Sequence, residues 1–150
     1  TSFKLYFPVV TDAVSETSEE DSKEPIPGGN ESILIIDDEA MVRDLAEHML
    51  TTFGYHVIAA PGSESGLRLY REKRNDISLV ILDMIMPGMG GRQCLEELLK
   101  INPGAKVIIA SGYSGDGNVK SLLAAGAKGF INKPFNVREM LTSIRGVLDA

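Results

Sequence analysis

The stretch that most limits the fold is Ile77-Ser78-Leu79-Val80-Ile81-Leu82, which ends in Asp83 and runs through Met84-Ile85-Met86 into Pro87-Gly88. A short, nearly continuous apolar run is what a strand covered on both faces needs, and such strands belong to parallel sheets packed between helices. In open α/β sheets the ligand site lies just outside the carboxyl ends of the strands. Asp83 stands at that place. A carboxylate buried there without compensation is costly, so a cation, a hydrogen bond or a covalent change should offset it. Alone, an Asp after a strand is most often a turn or helix-capping residue. Three further strand ends change that reading.

The pattern around this run is regular from Ser32 onward. Ile33 to Ile36 is an apolar strand that stops at Asp37-Asp38-Glu39, and a helix follows with Val42, Leu45, Ala46, Met49 and Leu50 on one stripe until Gly54. Tyr55 to Ala60 reads as a second strand, and Ser63 as the N-cap of a helix that turns Leu67 and Tyr70 inward. After the central strand at Ile77 to Leu82, a helix from about Gly91 to Ile101 carries Cys94, Leu95, Leu98 and Leu99, and Asn102-Pro103-Gly104 stops it. Lys106 to Ala110 is the fourth strand, followed by Ser111-Gly112 and a helix from about Gly117 to Gly126. Lys128 to Asn132 is the fifth strand, followed by Lys133-Pro134 and a helix with Val137, Met140, Leu141, Ile144, Val147 and Leu148 at helical spacing. Five strands alternating with five helices imply an α/β fold, a doubly wound parallel sheet with right-handed crossovers.

Such a sheet brings Asp37, Asp38, Asp83, Ser111 and Lys133 to one edge. Clustered carboxylates raise one another's pKa unless a cation sits among them. Mg²⁺ suits oxygen donors of this kind, with waters and a phosphate completing its shell. A lysine can hold a phosphoryl oxygen and a hydroxyl offers an adjustable donor. These are the parts of an in-line phosphoryl transfer onto a carboxylate.

The four stretches Ile-Ile-Asp37-Asp38-Glu39, Leu-Asp83-Met-Ile-Met-Pro87-Gly88-Met-Gly90-Gly91, Ala-Ser111-Gly-Tyr and Phe130-Ile-Asn-Lys133-Pro134-Phe135 resemble the receiver domain of two-component response regulators. The resemblance spans about Glu31 to Ala150, with the motifs in family order. It implies a flavodoxin-like (βα)5 sheet of strand order 2-1-3-4-5, an arrangement for which the general rule of doubly wound sheets takes this family as an example. By position, it makes Asp83 the phospho-acceptor, Asp38 a direct Mg²⁺ ligand and Asp37 a ligand largely through water. The main-chain carbonyl of Ile85 becomes a further metal ligand, Lys133 the partner of the phosphoryl group, Ser111 the switch hydroxyl and Phe130 the switch aromatic. A cis bond before Pro134 is also implied. The expected partners are the phosphohistidine domain of a histidine kinase, a histidine phosphotransfer protein, or both. The domain itself is expected to catalyse only its own phosphotransfer and dephosphorylation.

Two positions beside the site depart toward bulk. Ile85 and Tyr113 lie two residues after Asp83 and Ser111, and neither offers a carboxylate or amide to orient water, so a long-lived phospho-aspartate is expected. Ser111 stands where the family also uses Thr, and Phe130 lacks the phenol of a Tyr. The rivals are a receiver that only docks proteins and an aspartate-nucleophile phosphohydrolase. The latter needs an acid where Ile85 stands, and the intact Asp38, Asp83 and Lys133 argue against the former. A cofactor-binding flavodoxin relative would need a phosphate-cradling loop where Asp37-Asp38-Glu39 stands.

The rest of the chain reads differently. Phe3, Leu5 and Phe7 alternate with Lys4 and Tyr6 as in a strand, and Pro8 ends it. Thr-Ser-Phe-Lys-Leu-Tyr-Phe-Pro is similar to the last strand of the ATP-binding domain of sensor histidine kinases. Residues 1–10 are therefore expected to be the remnant of a preceding domain, residues 11–31 an acidic flexible linker and residues 32–150 the receiver. The parent would be a hybrid histidine kinase with no DNA-binding or enzymatic output domain after the receiver. Seven acidic residues against Lys4 and Lys23 in the first 31 account for most of the net charge of −6. No basic patch points to nucleic acid or to an anionic membrane. Cys94 is the single cysteine and reads as a small buried hydrophobe, with no intrachain disulfide and a reducing compartment expected. His48 beside Glu47 and His56 at a strand start read as surface residues. Without a transmembrane-length apolar stretch or a signal peptide, a cytoplasmic domain is expected, on a parent that can be membrane-anchored.

Overall fold

The computed structural model describes residues 28–112 and 116–150. The expected strand at residues 1–10, most of the acidic linker and Tyr113 lie outside the described residues.

The elements in order are β1 (Ser32–Ile36), α1 (Ala40–Thr52), β2 (His56–Ala60), α2 (Ser63–Lys73), β3 (Ile77–Asp83), α3 (Gly91–Ile101), β4 (Val107–Ser111), α4 (Asp116–Ala124), β5 (Gly129–Asn132) and α5 (Val137–Leu148). The strands form one sheet in the order β2-β1-β3-β4-β5, with every neighbouring pair parallel. This is the expected doubly wound, flavodoxin-like architecture. Because side chains alternate along a strand, each strand feeds two cores. Leu34, Ile36, Val80, Leu82, Val107 and Ile109 pack with Leu67 and Tyr70 of α2, Cys94, Leu95 and Leu98 of α3 and Leu122 of α4. Ile33, Ile35, Leu79, Ile81, Ile108 and Ala110 pack with Ala46 and Leu50 of α1 and Met140, Leu141 and Ile144 of α5.

Three local readings differ. Leu45 is exposed, and α1 buries Ala46 and Leu50 instead. The stripe is narrower than expected because one face of α1 meets the sheet while its flank borders solvent. Ser63 is the first residue of α2 and Gly62 is the N-cap. The Ser63 hydroxyl is buried and donates to the Met89 carbonyl at 2.8 Å, which joins α2 to the loop after β3. β4 starts at Val107 and ends at Ser111, so the hydroxyl belongs to the strand and not to the turn. Cys94 is fully buried, and burial pushes its thiol pKa up.

Glycine is required where α1 ends. Gly54 has φ +99°, its N–H donates to Thr51 and the next N–H, of Tyr55, donates to Leu50. That pair of bonds satisfies the last carbonyls of the helix and needs the left-handed conformation that glycine adopts without strain.

Residues 28–31, within the segment read as linker, are tied to the domain. Gly29 donates to the Phe53 carbonyl at 3.1 Å, and His56 donates to the Glu31 carbonyl at 3.0 Å. The Glu31 carboxylate takes two bonds from Arg145 of α5, at 3.0 and 2.8 Å. This partner lowers the Glu31 pKa below its ordinary value. A depressed carboxyl contributes stability above its unfolded pKa and loses that contribution as pH falls through the folded value. Glu31→Gln should therefore lower Tm by about 2–4 °C at pH 7. Thermal scans of both proteins should converge as pH falls, once the Glu31 carboxyl is protonated in the folded protein as well.

Candidate functional site

The sheet register builds the site. Ile36 pairs with Leu82, so Asp37 and Asp83 emerge side by side from β1 and β3. These are the strands at which the winding reverses, the crevice where doubly wound sheets hold ligands. Asp83 pairs with Ala110, which sets Ser111 one step further out on β4, and Ser111 pairs with Asn132, which sets Lys133 one step beyond β5. The Lys133 N–H donates to the Ser111 carbonyl at 3.0 Å, and the Lys133–Pro134 bond is cis.

Lys133 reaches back across β4 to both carboxylates. Its Nζ lies 2.7 Å from Asp37 Oδ2 and 2.9 Å from Asp83 Oδ1. Asp37 is 2 % exposed and Asp83 5 % exposed, so these ion pairs are screened little by solvent. Burial raises the Asp83 pKa and the charge of Asp37 adds to it, while Lys133 opposes both. Burial also presses the Lys133 pKa down, but its bonds to Asp37 and Asp83 together outweigh that and leave it raised. Lys133 thus counters the rise in the Asp83 pKa that burial and Asp37 cause, and the net direction remains upward.

Asp38, the next residue of the same turn, is exposed. One oxygen from each of Asp37, Asp38 and Asp83 lies within 4.8 Å of the others. All-oxygen donors at that spacing fit a hard divalent cation. Asp37 is already well used. Its Oδ1 accepts from the Glu39 N–H at 2.9 Å and its Oδ2 accepts from Lys133 at 2.7 Å. Asp38 therefore has the greater freedom to bind a cation directly.

The remaining expected residues gather beside the carboxylates. Ile85, Ser111 and Phe130 line a cavity of about 290 Å³, which α3 and α4 close with Arg92, Val119 and Leu122. Ser111 is buried and Phe130 half-buried. Ile85 is 74 % exposed, and its N–H lies 3.4 Å from Asp83 Oδ1. His48 and His56 are exposed and take no part in this site.

Two contributors were given no role at the site in the sequence reading. Arg43 of α1 donates to the Asp37 main-chain carbonyl at 2.7 Å and so pins the turn that carries both acids. Its position one helical turn after Glu39 was the available signal. Gly91 opens α3 against the end of β3. A Cβ there would lie 2.6 Å from the Asp83 carbonyl oxygen and from Met84 Cα, both backbone atoms, so no side chain fits without moving the end of β3.

A buried aspartate at the switch point of a (βα)5 sheet, a second strand-end acid pair and a lysine bridging Asp37 and Asp83 form the layout expected of a receiver-type domain. Comparison with known proteins narrows this to a family. The family model described as the response regulator receiver domain matches residues 33–145, and the chain belongs to that family. It is 34% identical over 116 residues to the chemotaxis protein CheY of Thermotoga maritima, which covers 77% of this chain and 95% of that protein. It is 29% identical over 156 residues to the sensor kinase CckA of Brucella abortus, covering 99% of this chain but 16% of the kinase. Among solved structures, the CheX–CheY–BeF3–Mg complex of Borrelia burgdorferi superposes with a TM-score of 0.76 at 30% identity, over 78% of this chain and 88% of that one.

The geometry separates the roles of the two neighbouring acids. Asp38→Ala should weaken Mg²⁺ binding at least about tenfold, because it removes one of three charged donors. The same change should alter Tm by no more than about 1 °C, because Asp38 is exposed. Calorimetric titration with Mg²⁺ and a thermal scan of the same sample check both halves.

Proposed function

We propose that this chain is a phospho-accepting signalling receiver. In this reading Asp83 takes a phosphoryl group from a phosphohistidine, and the altered domain changes its protein contacts. The observation that carries it is the Lys133 bridge between Asp37 and Asp83 beside the exposed Asp38. No metabolic substrate is needed to explain that arrangement.

Asp37, Asp38, Asp83 and the Ile85 carbonyl would hold Mg²⁺. When bound, the ion supplies neutralisation of charge on the phosphoryl oxygens. The protein's own residues do the rest. Lys133 donates to Asp83 Oδ1 and opposes the rise in its pKa that burial causes, which favours the carboxylate form that acts as nucleophile. As the new P–O bond forms, the P–N bond of the donor breaks and the imidazole nitrogen keeps the electron pair. Lys133 can then exchange its bond to Asp83 for one to a phosphoryl oxygen. The new charge draws in Ser111, and the 290 Å³ cavity beside it gives Phe130 room to follow. That couples a local electrostatic event to the surface formed by α4, β5 and α5.

The phosphodonor must approach across the edge that carries Asp38. Met41, 84 % exposed at the start of α1, and Ile85 offer apolar contacts on that edge. We assign the donor to a histidine kinase or a histidine phosphotransfer protein. Alignment with CckA over 99% of this chain supports a hybrid histidine kinase as parent. Among the described residues no helix is long and apolar enough to cross a membrane. Together with the phosphohistidine donor, this supports a cytoplasmic site of action for the domain.

The first test is intact mass after incubation with acetyl phosphate and Mg²⁺. Wild type should gain one phosphoryl group and Asp83→Asn none. No adduct on wild type, with Mg²⁺ binding confirmed, would favour a docking-only receiver. Ile85→Asn should then shorten the life of the phospho-aspartate about tenfold, because an amide can orient the attacking water where Ile85 cannot. An unchanged decay rate would sink the shielding account.

A further inference from the structure

Among the described residues α4 is a lightly packed helix. Among its described side chains, at positions 119–124, only Leu122 is buried, whereas α3 and α5 each bury four residues. Elements with so little buried surface sit at the low-stability end of a fold and are the ones that move in switches. Polar ties then matter more than they would elsewhere. Arg92, the second residue of α3, donates from Nη1 to Ser121 Oγ on α4 at 2.7 Å. Among the described residues this is the side-chain hydrogen bond that ties α4 to another helix.

The tie spans the cavity beside the phosphoryl site. Arg92 forms part of the cavity wall, facing Val119 and Leu122 of α4, with Ser111 and Phe130 on the sheet side. At its other end Arg92 follows Gly91, which packs directly on the Asp83 backbone. The Arg92–Ser121 bond therefore sets how far α4 stands from the strand end that carries Asp83. If Phe130 enters the cavity, the wall that this bond holds must adjust.

We infer that Arg92 is a positioning residue whose bond to Ser121 latches α4 in its resting placement, and that phosphorylation of Asp83 releases the latch. This rests on the phosphoacceptor reading and adds a named regulator of it. A contact made in one of two conformers biases the equilibrium toward that conformer, and the bias is reciprocal with ligand affinity. Removing the latch should thus raise the affinity for a phosphoryl mimic. Both residues border solvent, so their loss leaves the core intact.

The experiment uses the full chain, with beryllium fluoride plus Mg²⁺ as the mimic, on wild type, Arg92→Ala, Ser121→Ala and the double variant. Amide hydrogen exchange across α4 is followed without the mimic. Each single variant should bind the mimic about threefold more tightly, and the double variant no more tightly than either single one, because both changes remove one bond. Exchange in α4 should rise in all three variants. Faster exchange with unchanged affinity would make the bond merely structural and overturn the latch. Additive gains in the double variant would do the same. Uptake by wild type without differences among variants overturns the latch alone. Failure of wild type to take up the mimic overturns the phosphoacceptor reading, and the latch with it.

Discussion

Everything at the site depends on one lysine between two buried carboxylates. The β1–β3 register places Asp37 and Asp83 next to each other with 2 % and 5 % exposure, an arrangement that repels itself if both are charged. Lys133, at 2.7 and 2.9 Å, relieves that repulsion. The cost of burying three charges is then partly offset by their mutual attraction and by the Glu39 N–H on Asp37. The cluster carries one surplus negative charge from Asp37, Asp83 and Lys133 together, and Asp38 adds another. The site is thus built short of positive charge, which is the electrostatic condition for attracting a divalent cation.

That demand reaches far into the fold. Lys133 must come from β5, with β4 between it and Asp83, so the order of the sheet is part of the site. A change in the β4–β5 register would move Lys133 relative to both acids. The register is fixed by Ile108, Ile109 and Ile131, whose alternation feeds two separate cores. The cores therefore do more than stabilise the domain. They hold the ends of β1 and β3 in the stagger that puts one oxygen of each acid within 4.8 Å of the others.

Much of this was legible in the sequence because the inner strands β1, β3 and β4 are unmistakable apolar runs, and four of the five strands lead into a polar residue. Asp37, Asp38, Asp83, Ser111 and Lys133 could all be placed on one edge from strand ends alone. Contacts that depend on packing angles were less legible. Leu45 fits the helical stripe of α1 by period, yet the helix rolls enough to leave it exposed. Ser63 has the chemistry of an N-cap, but its hydroxyl turns to the Met89 carbonyl, a partner 26 positions away. Arg145 acts through the Gly28 carbonyl and the distant Glu31 carboxylate, and no local pattern announces such long-range bonds.

The division of labour between the helices follows from the same packing. α5 buries four residues and is pinned by Arg145 to Glu31, which joins the last helix to the first strand. α4 has Leu122 as its buried anchor among the described side chains and crosses over the cavity next to Ser111 and Phe130. A sheet edge that must stay rigid to hold Lys133 in place therefore lies against a helix with one buried anchor among its described side chains. A charge added at Asp83 cannot easily distort the strands, since their side chains are locked in both cores. Under the proposed phosphoacceptor reading, strain from that charge would pass to the helix with the fewest buried side chains among the described residues, α4.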